Sequence, residues 1–177
     1  MPIGKAAQRV RLLSARAGLT PDDHAAAATV YNHYVATSTA TFQTEPLDPQ
    51  AWAADAVTGE PGRHGAWAVE ADGAFAGFLL ITPFKSRCAY RDTAEVTVYL
   101  DPAHTGRGLG RDALEHAEAH ATTAGLHALL AVVCAENDAS LRLFERAGYE
   151  RCALLREVGS KFGRRLDVVY LEKILPG

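Results

Sequence analysis

Three glycines at alternate positions, Gly106, Gly108 and Gly110, lie between an alternating strand pattern and a helical pattern. Glycine lets the backbone curl so that successive N–H groups point inward, and the start of a helix adds about half a positive charge where those groups converge. Arg107 and Arg111 add full charges beside them. This loop therefore predicts a bound anion, and a ligand that carries phosphates fits it best.

Two other kinds of glycine-rich phosphate loop fit this spacing poorly. A Walker loop places Lys and then Ser or Thr directly after its last glycine, whereas Leu109-Gly110-Arg111 stands here. A dinucleotide-binding fingerprint has the spacing Gly-x-Gly-x-x-Gly inside a βαβ unit, with an acidic residue about 20 positions further on, and this chain lacks that arrangement. The loop by itself leaves one alternative open, which is a glycine-rich turn that binds no ligand.

The patterns on either side of the loop predict a mixed α/β domain. Apolar and polar residues alternate from Glu95 to Leu100, as in a strand with one buried face, and helical spacing begins at Leu109. A continuous apolar run over 129–134 predicts a strand buried on both faces, and Asp72-Gly73 predicts a tight hairpin turn. The other predicted elements are, in chain order, a strand near Arg9–Leu13, a helix beginning at Thr20-Pro21, a helix beginning at Leu47-Asp48-Pro49, hairpin strands over Ala66–Glu70 and Ala74–Ile81, a helix between Asn137 and Gly148, and strands near Cys152–Arg156 and Leu166–Ile174.

Length and composition limit the class of protein. The chain of 177 residues is long enough for one domain with a substantial core, which we assign to 9–177 after a loose lead-in over 1–8. A net charge of −3 argues against nucleic acid as the main partner. No apolar run reaches the ~18 residues of a membrane span, and the first residues lack the charged and then apolar order of a signal peptide.

Cysteine and histidine spacing gives no metal site. Cys88, Cys134 and Cys152 are scattered and form no Cys-x-x-Cys pair, which is typical of a protein of the reducing cytoplasm. His116 and His120 are four residues apart on a predicted helix, a spacing that suits a metal, but no third ligand is evident. We therefore expect these two histidines to lie on a solvated helix face.

Motifs along most of the chain resemble those of the GNAT superfamily of N-acetyltransferases, and within it those of the phosphinothricin and methionine sulfoximine N-acetyltransferases. The glycine loop is one of them. The other segments that carry the resemblance are, in order, Tyr31-Asn32-His33-Tyr34 with the following STATFQTEP, Pro83-Phe84-Lys85-Ser86, Ala89-Tyr90, Thr93-Ala94-Glu95, Val98-Tyr99, Glu136-Asn137-Asp138-Ala139-Ser140, Ala147-Gly148-Tyr149 and Val158-Gly159-Ser160-Lys161-Phe162-Gly163.

The resemblance implies a fold and a reaction. The fold is a mixed, mostly antiparallel sheet of six or seven strands flanked by helices, splayed where the central strand meets the next one to admit the pantetheine arm of acetyl-CoA. The reaction is direct transfer of acetyl from acetyl-CoA, the co-substrate, to the primary amine of a small amino-acid-like acceptor in a ternary complex. The same resemblance implies a homodimer and no metal.

Glu95 is the candidate catalytic residue. An amine near pH 7 is mostly protonated, so a general base must remove a proton before the nitrogen attacks a thioester. In the family that this chain resembles, the glutamate of the pattern Ala-Glu-x-x-Val-Tyr is this base, and Glu95 matches it. The residue taken alone leaves another interpretation, which is a glutamate on a solvated strand face. Partial burial would raise its pKa and suit proton transfer near neutrality.

The resemblance also implies which residues bind acetyl-CoA. The backbone of the central strand pairs with the pantetheine arm, the loop binds the pyrophosphate, and an asparagine after the next strand contacts the pantetheine arm. That asparagine has a second interpretation as a plain helix cap. The residues concerned are Val98, Tyr99, Leu100, Thr105, Gly106, Arg107, Gly108, Leu109, Gly110, Arg111 and Asn137.

Five residues match the acceptor pocket of the relatives, namely Phe42, Lys85, Arg87, Tyr90 and Lys161. An acceptor with a carboxylate and a second anionic or strongly polar group requires cations and an aromatic wall. Two alternatives stay open from the sequence. Arg87, like its neighbour at position 91, also fits a solvated surface charge, and Lys161 also fits a turn between two strands.

Two positions depart from the family pattern. Thr105 stands where the superfamily loop usually begins with Gln or Arg, and Phe144 stands where relatives carry Tyr or His as the acid that protonates the departing thiolate. Phenylalanine has no proton to donate, although a thiol with a pKa near 8.5 is a fair leaving group without help. This departure leaves room for a slow enzyme or for a non-catalytic acyl-CoA-binding protein. A separate alternative is an enzyme for another amine, such as a polyamine, an antibiotic or a protein N-terminus.

Overall fold

The structure, a computed structural model, describes residues 9–11 and 19–176, so the predicted lead-in over 1–8 and the end of the first predicted strand lie outside the described residues. Seven strands and four α-helices form the described part of the chain. They are β1 (Arg9–Arg11), α1 (Pro21–Thr37), α2 (Pro49–Ala56), β2 (Gly65–Ala71), β3 (Ala74–Pro83), β4 (Thr93–Leu100), α3 (Leu109–Thr123), β5 (Ala128–Cys134), α4 (Asp138–Arg146), β6 (Glu150–Lys161) and β7 (Arg164–Ile174). The predicted mixed α/β class is confirmed.

Three helices begin at their predicted positions, and each begins with a side-chain cap. Thr20 and Asp23 form a capping box at the start of α1, in which each side chain accepts the other residue's backbone N–H. Asp48 caps α2 and Asn137 caps α4, each by accepting the backbone N–H three residues further on. These bonds satisfy amides that the helix itself leaves without partners, so the sequence sets the start of each helix locally.

The seven strands form one sheet in the order β1-β2-β3-β4-β5-β7-β6. Only β4 and β5 pair in parallel, and the other neighbours are antiparallel. The parallel ladder is short, because it runs from the pair Thr93–Ala128 to the pair Glu95–Leu130 and then stops. Beyond Glu95 the two strands diverge, which confirms the predicted splay in the middle of the sheet.

Tight turns join the strands of two hairpins, β2–β3 and β6–β7. Asp72 and Gly73 have φ of 54° and 80°, the left-handed pair of a type I′ turn, between β2 and β3. Phe162 and Gly163 have φ of 51° and 71° between β6 and β7. β6 is longer than the predicted 152–156, because register shifts interrupt its alternation and hide its full length from the sequence pattern. Lys161 is consequently the last residue of this strand.

Alternate residues of β4 face two different environments. Val96, and more loosely Val98 and Leu100, pack into the main core cluster under α3 and α4. Glu95, Thr97 and Tyr99 point to the opposite face, towards α1 and α2. The period of two along a strand thus separates the core from the surface on which a polar site can form.

The two histidines of α3 are not on a solvated face, so that prediction was wrong. Their rings lie edge-on to the indole of Trp67, with centroids 5.7 Å away for His116 and 4.7 Å for His120. Trp67 is buried on β2 and packs against both rings. Burial lowers the pKa of His116. In the part of the chain that the structure describes, no three His, Cys, Asp or Glu side chains are grouped closely enough to hold a metal.

Two further findings concern the cysteines and the apolarity of the helices. All three cysteines are free, with Cys134 buried and Cys88 and Cys152 exposed. Among residues 9–11 and 19–176, none of the helices combines the length and apolarity that crossing a membrane requires.

Candidate active site

A cavity of about 360 Å³ lies on the α1–α2 side of the sheet, where β4 and β5 diverge. One wall is the irregular segment 39–42, which follows α1, and another is α2 with Trp52 and Asp55. The floor consists of alternate residues of β3 and β4, and Val132 and Cys134 of β5 reach its edge. The cavity therefore joins the gap in the sheet to a pocket under two helices.

Glu95 is the carboxylate at the point where the parallel ladder ends. Its side chain lies in the cavity wall and is largely shielded from water. Burial raises the pKa of Glu95 above its ordinary value, and the positive charge of Lys85 lowers it only in part. A carboxyl group in this state accepts a proton more readily near neutral pH than a solvated one does.

Aromatic side chains hold the irregular wall in place. The hydroxyl of Tyr99 donates to the carbonyl of Ala40 at 2.8 Å, and the hydroxyl of Tyr31 lies 2.7 Å from the Thr41 Oγ1. Burial raises the pKa of Tyr99 far above its ordinary value, so this hydroxyl stays a donor at any working pH. The Tyr99 ring also stacks on Phe78, with centroids 5.3 Å apart. These contacts fix a wall that has no regular secondary structure of its own.

The cavity lining is acidic, whereas the sequence predicted cations in the acceptor pocket. Glu95 and Asp55 both line it, and no Lys or Arg is among the described residues that do. The predicted basic residues Lys85 and Arg87 are exposed on the segment that joins β3 to β4, and the charge of Lys85 acts on Glu95. Lys85 lies over the ring of Phe84 with its Nζ 4.8 Å from the centroid, and Tyr90 packs edge-on against the same ring.

Of the five residues predicted to bind the acceptor, only Phe42 lines the cavity next to Glu95. Lys161 is buried behind the wall, with an exposed fraction of 4%, and its Nζ donates to backbone carbonyls. Sequence reasoning missed Tyr31, Trp52 and Asp55, which do line the cavity. The spacing of Trp52 and Asp55 was a usable signal, because residues three apart on a helix share a face.

The glycine loop has the conformation that its composition predicts. Gly106 and Gly108 have φ of 73° and 89°, in the left-handed region that favours glycine. Gly108 is the N-cap of α3, and having no side chain it leaves the first amides of that helix without a side-chain acceptor. Gly110 is glycine for another reason, since a Cβ there would come within 3.0 Å of Leu143 on α4. Leu109 between them is buried in the core.

Both arginines of this loop are paired with carboxylates. Arg107 reaches the hairpin turn between β2 and β3, where its guanidinium lies 2.6 Å from Asp72 and holds the pKa of that carboxyl below its usual value. Arg111 is exposed beside Asp112 and Glu115, at 3.4 Å and 3.5 Å. The positive charge predicted for the loop is present, and it is partly neutralised on the surface.

The other residues predicted to bind acetyl-CoA also make contacts within the protein. The side chains of Val98 and Leu100 pack against the core, as predicted, which leaves their backbone for other contacts. The Thr105 hydroxyl donates to the carbonyl of Pro102 at 3.0 Å. Asn137 caps α4, so its interpretation as a helix cap is confirmed without excluding a second role.

Phe144 packs in the main core and does not line the cavity. Its exposed fraction is 5%, and its ring lies edge-on to Tyr149 with centroids 5.1 Å apart. A ring without a polar atom suits this position, because a buried hydroxyl would need a partner of its own. The Tyr149 hydroxyl beside it is already buried without a hydrogen-bond partner among the described residues.

Comparison with known proteins identifies the family. The family model described as the acetyltransferase (GNAT) family matches residues 27–149. The chain is 36% identical over 154 residues to a phosphinothricin N-acetyltransferase of Streptomyces viridochromogenes, covering 87% of this chain and 84% of that one. It is 33% identical to a methionine sulfoximine and methionine sulfone acetyltransferase of Salmonella typhimurium, covering 85% of this chain and 88% of that one.

A solved structure of an acetyltransferase from Salmonella typhimurium with its cofactor acetyl-CoA superposes with a TM-score of 0.84, at 29% identity, over 97% of this chain and 95% of that one. The chain therefore belongs to the acetyltransferase (GNAT) family. It is an acetyl-CoA-dependent N-acetyltransferase. The splayed sheet and the glycine loop before α3 are the parts of the described chain that suit this co-substrate.

The raised pKa of Glu95 has a measurable effect on stability. A carboxyl whose pKa is higher in the folded state than in the unfolded state stabilises the fold below the unfolded pKa, and this contribution is lost as pH rises through the folded pKa. Gln does not titrate, so we expect Glu95→Gln to gain unfolding free energy relative to the parent between pH 4 and pH 7. Urea unfolding at several pH values measures this difference.

Glu150→Gln is the matched control, because Glu150 is an exposed glutamate at the start of β6. Its difference from the parent should stay constant over the same range. A constant difference for Glu95→Gln as well would contradict a buried, hard-to-ionise Glu95.

Proposed function

We propose that this enzyme transfers acetyl from acetyl-CoA directly to the α-amine of a small amino-acid-like acceptor, such as phosphinothricin or methionine sulfoximine, in a ternary complex. The observation that carries the proposal is the position of Glu95, half-buried in the cavity lining beside the opening in the sheet. The relatives named for these two acceptors support the choice of substrate class. The single acetyltransferase domain proposed here extends over 9–177.

Acetyl-CoA binding is assigned to the open edge of β4 and to the loop 105–111. Beyond Glu95 the edge of β4 that faces away from β3 has no β5 ladder beside it, and this edge of Val98, Tyr99 and Leu100 is proposed to pair with an extended pantetheine arm. The Leu100 carbonyl is already bonded, because it accepts the Tyr34 hydroxyl at 2.6 Å. The uncapped first turn of α3 offers amides and the positive end of a helix to the pyrophosphate. Asn137, the N-cap of α4 three residues after the end of β5, is proposed to contact the pantetheine arm.

Glu95 acts as the general base. It accepts a proton from the acceptor's ammonium group, directly or through water, and the neutral amine attacks the thioester carbonyl. The new C–N bond forms as the C–S bond breaks, and the thiolate leaves. Phe144 has no proton to give, so the thiolate takes its proton from solvent or from the proton that the amine releases. No covalent bond to the enzyme is formed.

The acceptor occupies the cavity between Glu95 and α2. Phe42 and the neighbouring aromatic rings provide an apolar wall. We propose that Lys85, whose charge acts on Glu95, and the nearby exposed Arg87 and Tyr90 bind the acceptor's carboxylate. A substrate side chain with strong negative charge would meet Asp55 without a compensating cation in the cavity lining of the described residues. We therefore expect methionine sulfoximine, whose side chain is neutral and polar, to be preferred over phosphinothricin, whose phosphinate side chain is anionic.

An acceptor panel tests the function. Purified protein is incubated with acetyl-CoA and with phosphinothricin, methionine sulfoximine, a polyamine, an aminoglycoside and a short peptide with a free N-terminus, and free thiol is measured. We expect the highest kcat/KM with the two amino-acid-like compounds. A higher value with another amine would reassign the acceptor, and binding of acetyl-CoA without thiol release on the whole panel would contradict the proposal.

Removing the proposed base should remove turnover and leave binding. Glu95→Gln keeps the shape of the side chain, so we expect kcat to fall by ~10²–10⁴ while acetyl-CoA affinity barely changes. In the parent, kcat/KM should rise with pH, because Glu95 must lose its proton and burial raises its pKa. Steady-state kinetics between pH 5 and 9 and calorimetric binding give both quantities. Near-parental kcat in the variant at pH 7 would place the base elsewhere.

The loop assignment is tested at Gly108. In Gly108→Val a branched side chain would occupy the open space in front of the first amides of α3, so we expect acetyl-CoA binding to weaken by well over ~10-fold. The same change at Gly62 is the matched control, since Gly62 has a similar φ of 85° and equally open surroundings in a distant turn. Binding within twofold of the parent in folded Gly108→Val would exclude the loop.

We further propose a cytoplasmic homodimer with β6 in the interface. β6 is an edge strand, and Leu154, Val158 and the adjoining Phe162 are 51%, 59% and 55% exposed. Exposed apolar side chains on an unpaired edge favour association, and a second copy of this chain offers the same surface in a two-fold arrangement.

Light scattering of the parent should give a mass of twice 18.9 kDa. Val158→Lys places a charge in the proposed interface, and we expect it to shift the protein to the monomer. Ile174→Lys is the control, because Ile174 is similarly exposed and lies at the end of β7, where it pairs with β5 and not with β6. A monomeric parent, or a dimer that survives Val158→Lys, would contradict this interface.

A further inference from the structure

Lys161 is a buried cation without an anionic partner among the described residues. Its Nζ lies 2.8 Å from the Ser38 carbonyl oxygen, 2.8 Å from that of Thr41 and 3.4 Å from that of Tyr34. An ammonium group has three N–H donors, so all of them are used by the protein's own backbone. Burial lowers the pKa of Lys161, as expected for an ammonium group away from water.

The three carbonyls belong to the end of α1 and the segment after it. α1 ends at Thr37 with an extended C-cap at Ser38, and its last turn contains no basic residue. Many helices end with a glycine, which lets following backbone N–H groups bond the last carbonyls, or with a cation near the negative end of the helix dipole. Lys161 supplies that cation from β6, 127 positions away from Tyr34 in the chain.

A second contact joins the end of β6 to the same segment. A Cβ on Gly159 would overlap the ring of Phe42, so β6 approaches this ring as closely as only a glycine allows. Phe42 and Thr41 both line the cavity. The wall of the cavity therefore rests on β6 at two points, one polar and one apolar, and the opposite side of the wall is bonded to Tyr99.

We propose that Lys161 is a positioning residue, which holds the segment 38–42 in place as the wall of the acceptor pocket by capping α1 from β6. This rests on the proposed function insofar as the cavity binds the acceptor. Lys161 does not contact the acceptor, because each of its donors is already bonded to a carbonyl. Its effect reaches the acceptor through Thr41 and Phe42.

Lys161→Met tests the proposal, since Met keeps much of the side-chain length and removes the ammonium group. We expect the acceptor KM to rise by at least about tenfold, with kcat and acetyl-CoA affinity changed by no more than about threefold, because a misplaced wall weakens acceptor binding specifically. The loss should be the same for methionine sulfoximine and for the amine that lacks its carboxyl group. A loss confined to the carboxylate-bearing acceptor would overturn the proposal, because it would make Lys161 a direct ligand.

Lys173→Met is the matched control. Lys173 also caps a helix from a strand, with its Nζ 2.6 Å from the carbonyl of Ala147 at the end of α4 and 2.7 Å from Glu118, but it does not line or adjoin the cavity. Its loss should lower thermal stability while the acceptor KM stays within about twofold of the parent. If Lys161→Met raises the KM no more than Lys173→Met does, the positioning role is excluded and the proposed function is untouched.

Hydrogen exchange tests the positioning role of Lys161 without any acceptor. In Lys161→Met we expect amides of 34–43 to exchange at least about tenfold faster, while those of 129–133 in β5 keep the parental rate. Unchanged exchange over 34–43 would overturn the positioning role. A parent that acetylates no amino-acid-like compound would contradict the proposed function alone, because this measurement needs no turnover.

Discussion

The short parallel ladder between β4 and β5 is the constraint on which the site depends. Three residue pairs join the two strands, and beyond the pair Glu95–Leu130 they diverge. If pairing continued to Leu100, the gap beside Thr97 and Val132 would close and the backbone groups of β4 would be used within the sheet. The break in pairing therefore creates the cavity and leaves an open strand edge in one step.

One wall of this opening is formed by a segment that is neither a strand nor a helix. The segment 38–42 fills this role, and its carbonyls must find donors outside any regular ladder. Tyr99 provides one donor from β4, and Lys161 provides two from β6. The wall is therefore as rigid as the side chains that hold it. The Glu95 carboxyl is kept in the cavity at a cost, because burial disfavours its ionised form.

Much of the fold follows from local patterns in the sequence. Capping residues such as Thr20 and Asn137 set helix starts, the pair Asp72-Gly73 sets a hairpin, and the alternation along β4 separates core from cavity. Each of these depends on residues that are neighbours in the chain. Predictions failed where a distant element decides the environment. His116 belongs to an amphipathic helix pattern, and only the position of Trp67 on β2 shows that its ring is covered.

The candidate site divides in the same way. The sequence by itself determined the glycine loop, the carboxylate at Glu95 and the family resemblance, because residue type and spacing along the chain carry that chemistry. Only the tertiary structure decided the different environments of the two lysines. Lys85 is exposed on the segment between β3 and β4, whereas Lys161 is buried against three carbonyls at and after the end of α1. Burial, the pKa of Glu95 and the donors left to a lysine are set by groups up to 127 residues apart in the chain, which no local pattern contains.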